Sequence, residues 1–237
     1  MVSEFRDDCQ NRAGRCQNCV VANPGPGRPR LAERRRPGTT PRAEILDAAG
    51  ELFTTDGYAN TSTRRIADAV GIRQASLYHH FATKDDILDA LLADTVADAL
   101  ALAERLVVAG DPAAVRLYAL ATFDVGQLCA SRWNLGALYL LPELRSERFA
   151  AFRERRDLLR RHYVTIARQV LADLGGAAGD ALPELPFRLV ETTISVRSDV
   201  GTAPDWAVDT IPVAALRILG WSGDVAAVHV AAAALLD

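Results

Sequence analysis

The stretch from Thr61 to Lys84, TSTRRIADAVGIRQASLYHHFATK, restricts the fold more than any other part of the chain. Ile66, Ala67 and Val70 fall at the i, i+1, i+4 spacing that gives a helix one apolar face, and Ser62 is placed to cap that helix. Gly71 then interrupts. Glycine adopts positive φ without a Cβ clash, so the chain can turn sharply there. A second short helix is predicted from Gln74 to Phe81, with Leu77 and Phe81 on one side. Two short helices joined by a tight glycine turn form a helix-turn-helix, a motif whose second helix enters the major groove of DNA.

The polar residues of this stretch suit that geometry. Thr61, Ser62, Thr63 and Arg64 gather at the start of the first short helix, and Arg73, Gln74, Ala75 and Ser76 at the start of the second. Tyr78, His79, His80 and Lys84 follow at its far end. Hydroxyls, amides and cations near helix N-termini are the groups that phosphate oxygens bind. Gln74 can address an adenine edge and Arg73 a guanine edge, each good pair discriminating by roughly 1–3 kcal/mol.

The same residues carry a family resemblance. The ordered set Gly57-Tyr58, Thr61 to Ala67, Gly71-Ile72, Leu77-Tyr78-His79-His80-Phe81 and Lys84 resembles the TetR family of transcriptional regulators, over about Thr39 to Leu92. The resemblance implies a three-helix DNA-binding unit and phosphate contacts from Tyr78 and Lys84. It also implies a C-terminal region that encloses a small-molecule pocket and dimerises through a four-helix bundle. Beyond Leu92 the chain is similar to the family only in being helical.

Charge supports a nucleic-acid partner. The net charge is −3, yet residues 1–84 hold 13 Lys and Arg against 9 Asp and Glu, so the positive portion coincides with the helix-turn-helix. With 49% hydrophobic and 24% charged residues the composition is globular. No run approaches the ~18 apolar residues of a membrane span, and Met1 is not followed by an apolar signal core. A cytoplasmic location is expected.

Residues 1–38 read as a disordered basic arm. Asn23 to Arg30 is broken by Pro and Gly, and Arg28, Arg30, Arg34, Arg35 and Arg36 lie just before the reader. Such an arm either follows the minor groove or is a solvated tail. Cys16 and Cys19, with Cys9 nearby, fall short of the four ligands of a structural zinc site. No metal and no cofactor are expected.

Residues 39–86 read as the DNA-binding domain and 87–237 as a helical effector-binding and dimerisation domain, making the chain all-α. A first helix begins at Thr40-Pro41, with Ile45, Ala49, Leu52 and Phe53 inward, and ends at Asp56-Gly57. A fourth helix is capped by Thr83 and runs through Leu88, Leu91, Leu92, Val96, Ala99, Ala103 and Leu106, roughly 38 Å at 1.5 Å per residue. Further helices are expected from Asp111-Pro112, Leu135, Ser146, Pro183 or Leu185, Ala203 to Asp205, and Ser222 to Asp224.

The C-terminal part shows no G-x-S-x-G, H-E-x-x-H or phosphate loop, and no enzyme is read from it. Phe123, Gln127, Trp133, Tyr139 and Tyr163 combine aromatic area with polar tips and are the candidate effector-binding residues. The helices from residue 185 onward, with Phe187, Val190, Ile194, Ile211, Leu216, Val228 and Val230, look too apolar to stand in water, and partner helices of a homodimer would cover them. The reading is a repressor released from a palindromic operator by a small effector. A constitutive DNA binder without effector, or an enzyme on a helical scaffold, are the alternatives.

Overall fold

The structure, a computed structural model, describes residues 36–176, 179 and 181–236, and among these no strand occurs. Nine α-helices follow one another among the described residues: α1 Pro41–Thr55, α2 Thr63–Val70, α3 Gln74–Tyr78, α4 Lys84–Val107, α5 Ala113–Ala130, α6 Ala150–Asp173, α7 Leu185–Val200, α8 Ala207–Arg217 and α9 Val225–Leu236. The all-α expectation holds. The expected arm lies outside the described residues up to Arg35, together with Cys9, Cys16 and Cys19.

Local chemistry accounts for the first four helices. The Thr40 hydroxyl accepts from the Ala43 N–H, and Pro41 occupies the first turn of α1, where its missing N–H costs nothing. Ser62 caps α2 by accepting from the Arg65 N–H. At Gly71 φ is +77°, and its N–H reaches back to the carbonyls of Ala67 and Asp68. This left-handed residue closes α2 and redirects the chain into α3. Thr83 and Asp86 form a reciprocal capping box at the start of α4, with bonds of 2.9 and 3.1 Å.

Four expected boundaries moved. The helix expected from Ser146 starts at Ala150, after a 3-10 segment at Glu147–Phe149. The second reader helix stops at Tyr78 rather than Phe81. The expected apolar helix at Leu135 is a 3-10 segment, Leu135–Leu140. The helix expected from Ala203 starts at Ala207. Pro204 disfavours helical backbone at Ala203, and Asp205 and Trp206 form a turn leading into the helix, Trp206 already having helical φ and ψ.

Packing produces two hydrophobic cores. The first holds Ile45 and Phe53 of α1, Ile66 and Val70 of α2, Leu77 of α3, and the first half of α4 from Ile87 to Val96. The second holds the other half of α4, from Ala99 to Leu106, with α5, the C-terminal half of α6, α7, α8 and one side of α9. Helix α4 is common to both. Gly50, inside α1, admits the Trp133 ring: a Cβ there would lie 3.0 Å from Trp133 Cδ1. The closeness of that ring accounts for a residue otherwise poor in a helix interior.

The second core also contains charges. Arg116 of α5 is buried and donates to Leu106 O at 3.0 Å and Asp111 O at 2.8 Å, joining the end of α4 to the start of α5. Arg197 of α7 does the same at the end of α5, donating to Leu128 O and, at 2.7 Å, to Ser131 O. In both cases a cation meets the carbonyls and the negative pole of a helix C-terminus.

Asp124 of α5 is fully enclosed. Tyr163 donates a hydrogen bond to its Oδ2 at 3.1 Å, and the same hydroxyl lies 3.2 Å from Leu120 O. Burial raises the Asp124 carboxyl to about 7, with Glu191 adding to the rise and Tyr163 and Arg156 opposing it. The folded chain therefore holds a proton on Asp124 at pH values where the unfolded chain, at the ordinary 3.8, has lost it. Stability falls as pH rises across that window and levels off above about 7. Asp124→Asn, which keeps an acceptor for Tyr163, is expected to flatten this dependence and to gain on the order of 4 kcal/mol at neutral pH relative to its effect at pH ~4. Urea denaturation of both proteins at several pH values checks this, and parallel curves would refute it.

Candidate nucleic-acid interface and inner cavity

The polar residues of α2 and α3 form one exposed ridge over the first core. Their apolar neighbours are held from below: Ile66 and Leu77 are fully buried. The side chains on the outer edge are joined to each other. Gln74 Nε2 donates to Thr63 Oγ1 at 3.0 Å and to the Tyr78 hydroxyl at 3.2 Å, and those two hydroxyls lie 3.1 Å apart. This triangle locks the first turn of α2 to α3 through the Gln74 amide nitrogen. Tyr78 is nearly half exposed, unusual for an aromatic beside a core. Arg64, Arg73, His79 and His80 are exposed, and the side chains of Arg64 and Arg73 make no hydrogen bond or ion pair among the described residues. Ala75 is exposed and Ser76 half-buried on the same short helix.

Two residues of the expected set sit elsewhere. Thr61 is buried, and its hydroxyl donates inward to Gly57 O at 2.9 Å and Leu52 O at 3.2 Å. It closes the loop after α1 and has no side-chain donor to spare for DNA. Lys84 points its ammonium at Tyr58 O, 2.9 Å, and Thr61 O, 3.0 Å, and lies 4.1 Å from the Tyr58 ring centre. Tyr58 in turn donates to Asp85, and its hydroxyl is raised well above the ordinary range by burial and by that carboxylate. Lys84 is thus first a clamp between the start of α4 and the loop before α2. One of its three N–H groups remains for a phosphate.

Sequence reasoning placed Arg36 in the basic arm, read either as following DNA or as a solvated tail. The structure gives it an internal partner set: its guanidinium pairs with Asp47 and Glu51 of α1 and reaches Ala69 O. It ties α1 to α2. Arg65 is likewise held by Asp56.

The five expected effector-binding residues do not share one cavity. Gln127 lines a cavity of about 170 Å³ with Asp94, Thr95, Leu128, Asn134 and Arg197. Tyr139 lines a smaller space beside it and also an arginine-bordered groove on the outside. Its hydroxyl donates to Thr95 Oγ1 at 2.7 Å. Phe123 faces α9 near Leu236. Tyr163 is spent on Asp124. Trp133 docks onto α1, where its indole N–H donates to Asp47 at 3.0 Å beside Arg132. Aromatic content marked these residues, but three of the five serve packing between elements. The acids and cations of the inner cavity, Asp124, Arg156 and Glu191, were missed, because in sequence they look like a solvated face. The signal available was the i, i+3 pairing of Asp124 with Gln127 on an otherwise apolar helix.

No group of three or more metal-ligating side chains occurs among the described residues. No helix among them is long and apolar enough to cross a membrane.

Comparison with known proteins agrees with this geometry. The family model described as bacterial regulatory proteins, tetR family, matches residues 45–91, which span α1 to the first third of α4. The transcriptional repressor KstR2 of Rhodococcus jostii is 32% identical over 155 residues, covering 64% of this chain and 75% of that protein. The crystal structure of Mycobacterium smegmatis AmtR is 59% identical, covers 86% of this chain and 98% of its own, and superposes with a TM-score of 0.82. The ketosteroid regulator KstR2 of Mycobacterium tuberculosis shares the fold, with a TM-score of 0.63 at 24% identity. The chain belongs to the TetR family of bacterial regulatory proteins, and is a DNA-binding transcriptional regulator rather than an enzyme.

Proposed function

We propose that this regulator is a homodimeric repressor that reads a palindromic operator and is released from it by a small molecule. Residues 39–86 would read the DNA, and residues 87–237 would bind the effector and the second subunit. Thr63, Arg64, Tyr78 and Lys84 would hold phosphates, and Arg73 and Gln74 would face base edges, with Ser62, Ala75, Ser76, His79 and His80 around them. The observation that carries this reading is the ridge of exposed donors standing on a rigid apolar base, with Gln74 fixed in orientation by Thr63 and Tyr78. A side chain already immobilised loses little entropy on meeting a base.

Dimer formation is supported by α9. This helix carries no Asp, Glu, Lys or Arg, and only Val228 and Ala232 are buried in the chain's own core. Ala226, Ala227, Val230, Ala231, Ala233 and Ala234 face outward, and Val230 is 70% exposed. A helix face without charge and with small side chains is built to meet another helix closely. The sequence reading assigned more of the apolar surface to a partner than the fold allows. Phe187, Val190, Ile211 and Leu216 are buried within one chain, so a charge at Leu216 would unfold the core rather than split a dimer. Effector release is supported by the inner cavity between α4, α5 and α7, and a small molecule there could stabilise a DNA-free state by binding it preferentially.

Three tests follow from this reading. Gln74→Ala is expected to relax preference at one base position by roughly 1–3 kcal/mol, read from fragments selected out of genomic DNA. An unchanged selected motif would remove Gln74 from the reading set. Lys84→Ala is expected to weaken all DNA binding, to lower the salt slope by about one, and to lower the melting temperature because two carbonyls lose their donor. For the dimer, Val230→Glu is expected to give folded monomer by light scattering with unchanged circular dichroism. A dimer that survives this change places the interface elsewhere.

A further inference from the structure

The walls of the inner cavity carry more acceptors than the chain itself satisfies. Asp124 and Gln127 lie three residues apart on α5, hence on one face of the helix. Tyr163 donates to Asp124 Oδ2, and no second hydrogen bond to that carboxylate occurs among the described residues. Gln127 Oε1 is shut away from solvent and has no partner. Asp124 lines a space of about 20 Å³, and Gln127 lines the adjoining cavity of about 170 Å³; Thr95 and Leu128 border both. A buried acceptor without a donor is costly, and a carboxylate more so.

The cations nearby are engaged through their terminal nitrogens. Arg197 spends its guanidinium on Leu128 O and Ser131 O. Arg156 pairs with Glu191, and its guanidinium lies 5.3 and 5.5 Å from the ring centres of Tyr139 and Phe187; its Nε is buried with no hydrogen-bond partner, Asp124 included. Asp94 adds a further acid at the rim. What the double cavity lacks is a donor-rich cation with a short apolar body.

We propose that this cavity binds a small primary ammonium compound, its NH3⁺ head between Asp124 and Gln127 and its carbon chain against Leu128 and Leu135. An ammonium group offers three N–H donors, enough for a carboxylate and an amide oxygen together. The proposal rests on the effector reading and names the chemical class of that effector.

Proton linkage gives the site a signature. Tyr163 and Arg156 of α6, Glu191 of α7 and Tyr139 of the 3-10 segment are the ionisable groups around Asp124, and Asp94 of α4 and Arg197 of α7 line the adjoining cavity. Of these, none bonds to the carboxylate except Tyr163. Burial holds the Asp124 carboxyl at about 7. A cation favours the ionised form, so binding expels a proton and tightens as pH rises toward and through that value.

The test uses the full chain with n-butylammonium as probe and n-butanol and n-butyrate as equal-sized controls, by calorimetry and thermal denaturation. The ammonium is expected to bind about tenfold more tightly than the alcohol, with proton release measured in buffers of different ionisation enthalpy. Asp124→Asn and Gln127→Leu are each expected to erase that preference while the chain remains folded. Equal binding of alcohol or butyrate, an ammonium affinity unmoved by both substitutions, or no binding along the series from ethyl- to hexylammonium overturns the proposal. Operator fragments selected by the protein separate the two readings. Butyrate displacing DNA while ammonium does not bind leaves the effector reading standing and this one refuted. Ammonium bound through Asp124 with DNA affinity unchanged supports the site and refutes its role as effector pocket.

Discussion

Helix α4 is buried twice, and the rest of the structure depends on that. Its first half, from Ile87 to Val96, is a wall of the core beneath the DNA-reading helices; its second half, from Ala99 to Leu106, is a wall of the larger core. Apolar burial of this kind supplies most of the driving force for folding, and close-packed interiors resist deformation. The consequence is mechanical. The capping box at Thr83, the Lys84 clamp on the loop before α2 and the Tyr58–Asp85 bond fix the start of α4 to the reader. The reader cannot pivot about α4; it moves with it.

Much of this was legible in the sequence, where periodicity and capping are local properties. Thr40-Pro41, Ser62, Gly71 and Thr83 each determine a helix boundary through bonds to residues within a few positions, and each appears where the pattern puts it. The long apolar stripe of α4 is likewise a one-helix signal. What the sequence hid was the destination of long polar side chains. Lys84 lies 26 and 23 positions from the carbonyls it holds, Trp133 lies 86 from Asp47, and Arg197 lies 69 from Leu128. Nothing in a linear pattern distinguishes a cation that meets a phosphate from one that closes a helix C-terminus. The physics of the two contacts is the same, a donor on an oxygen, and only the folded path decides which oxygen is near.

The same ambiguity explains the apolar C-terminal helices. Composition alone shows that α7, α8 and α9 must bury surface, but not against what. In the fold, α7 and most of α8 find their partners within the chain, and the uncharged outer face of α9 is what remains. Small residues there matter more than large ones, since alanines permit close helix approach where leucines would fill the chain's own core.

The inner cavity sits where two connections to the reader meet. One of its walls is Thr95 of α4, a single turn before the point at which that helix passes from one core to the other. Another is Asn134, whose side chain is fixed to Ile194 O and Ser198 of α7 at 2.9 Å and whose neighbour Trp133 is bonded to Asp47 of α1. The reader is held to the C-terminal body through α4, through the Trp133 dock and through Leu138, Leu144, Phe149 and Phe152 packed into the first core. A rigid element held at separated points reorients only if those points move relative to each other. Under the effector reading proposed above, a molecule lodged between Thr95 and Asn134 would bear on both, so its binding energy would act on the difference between them. Differential affinity for the two arrangements is the quantity that shifts such an equilibrium, and on that reading it would work in reverse: DNA that fixes the reader would fix the separation of those walls, and with it the affinity of the cavity.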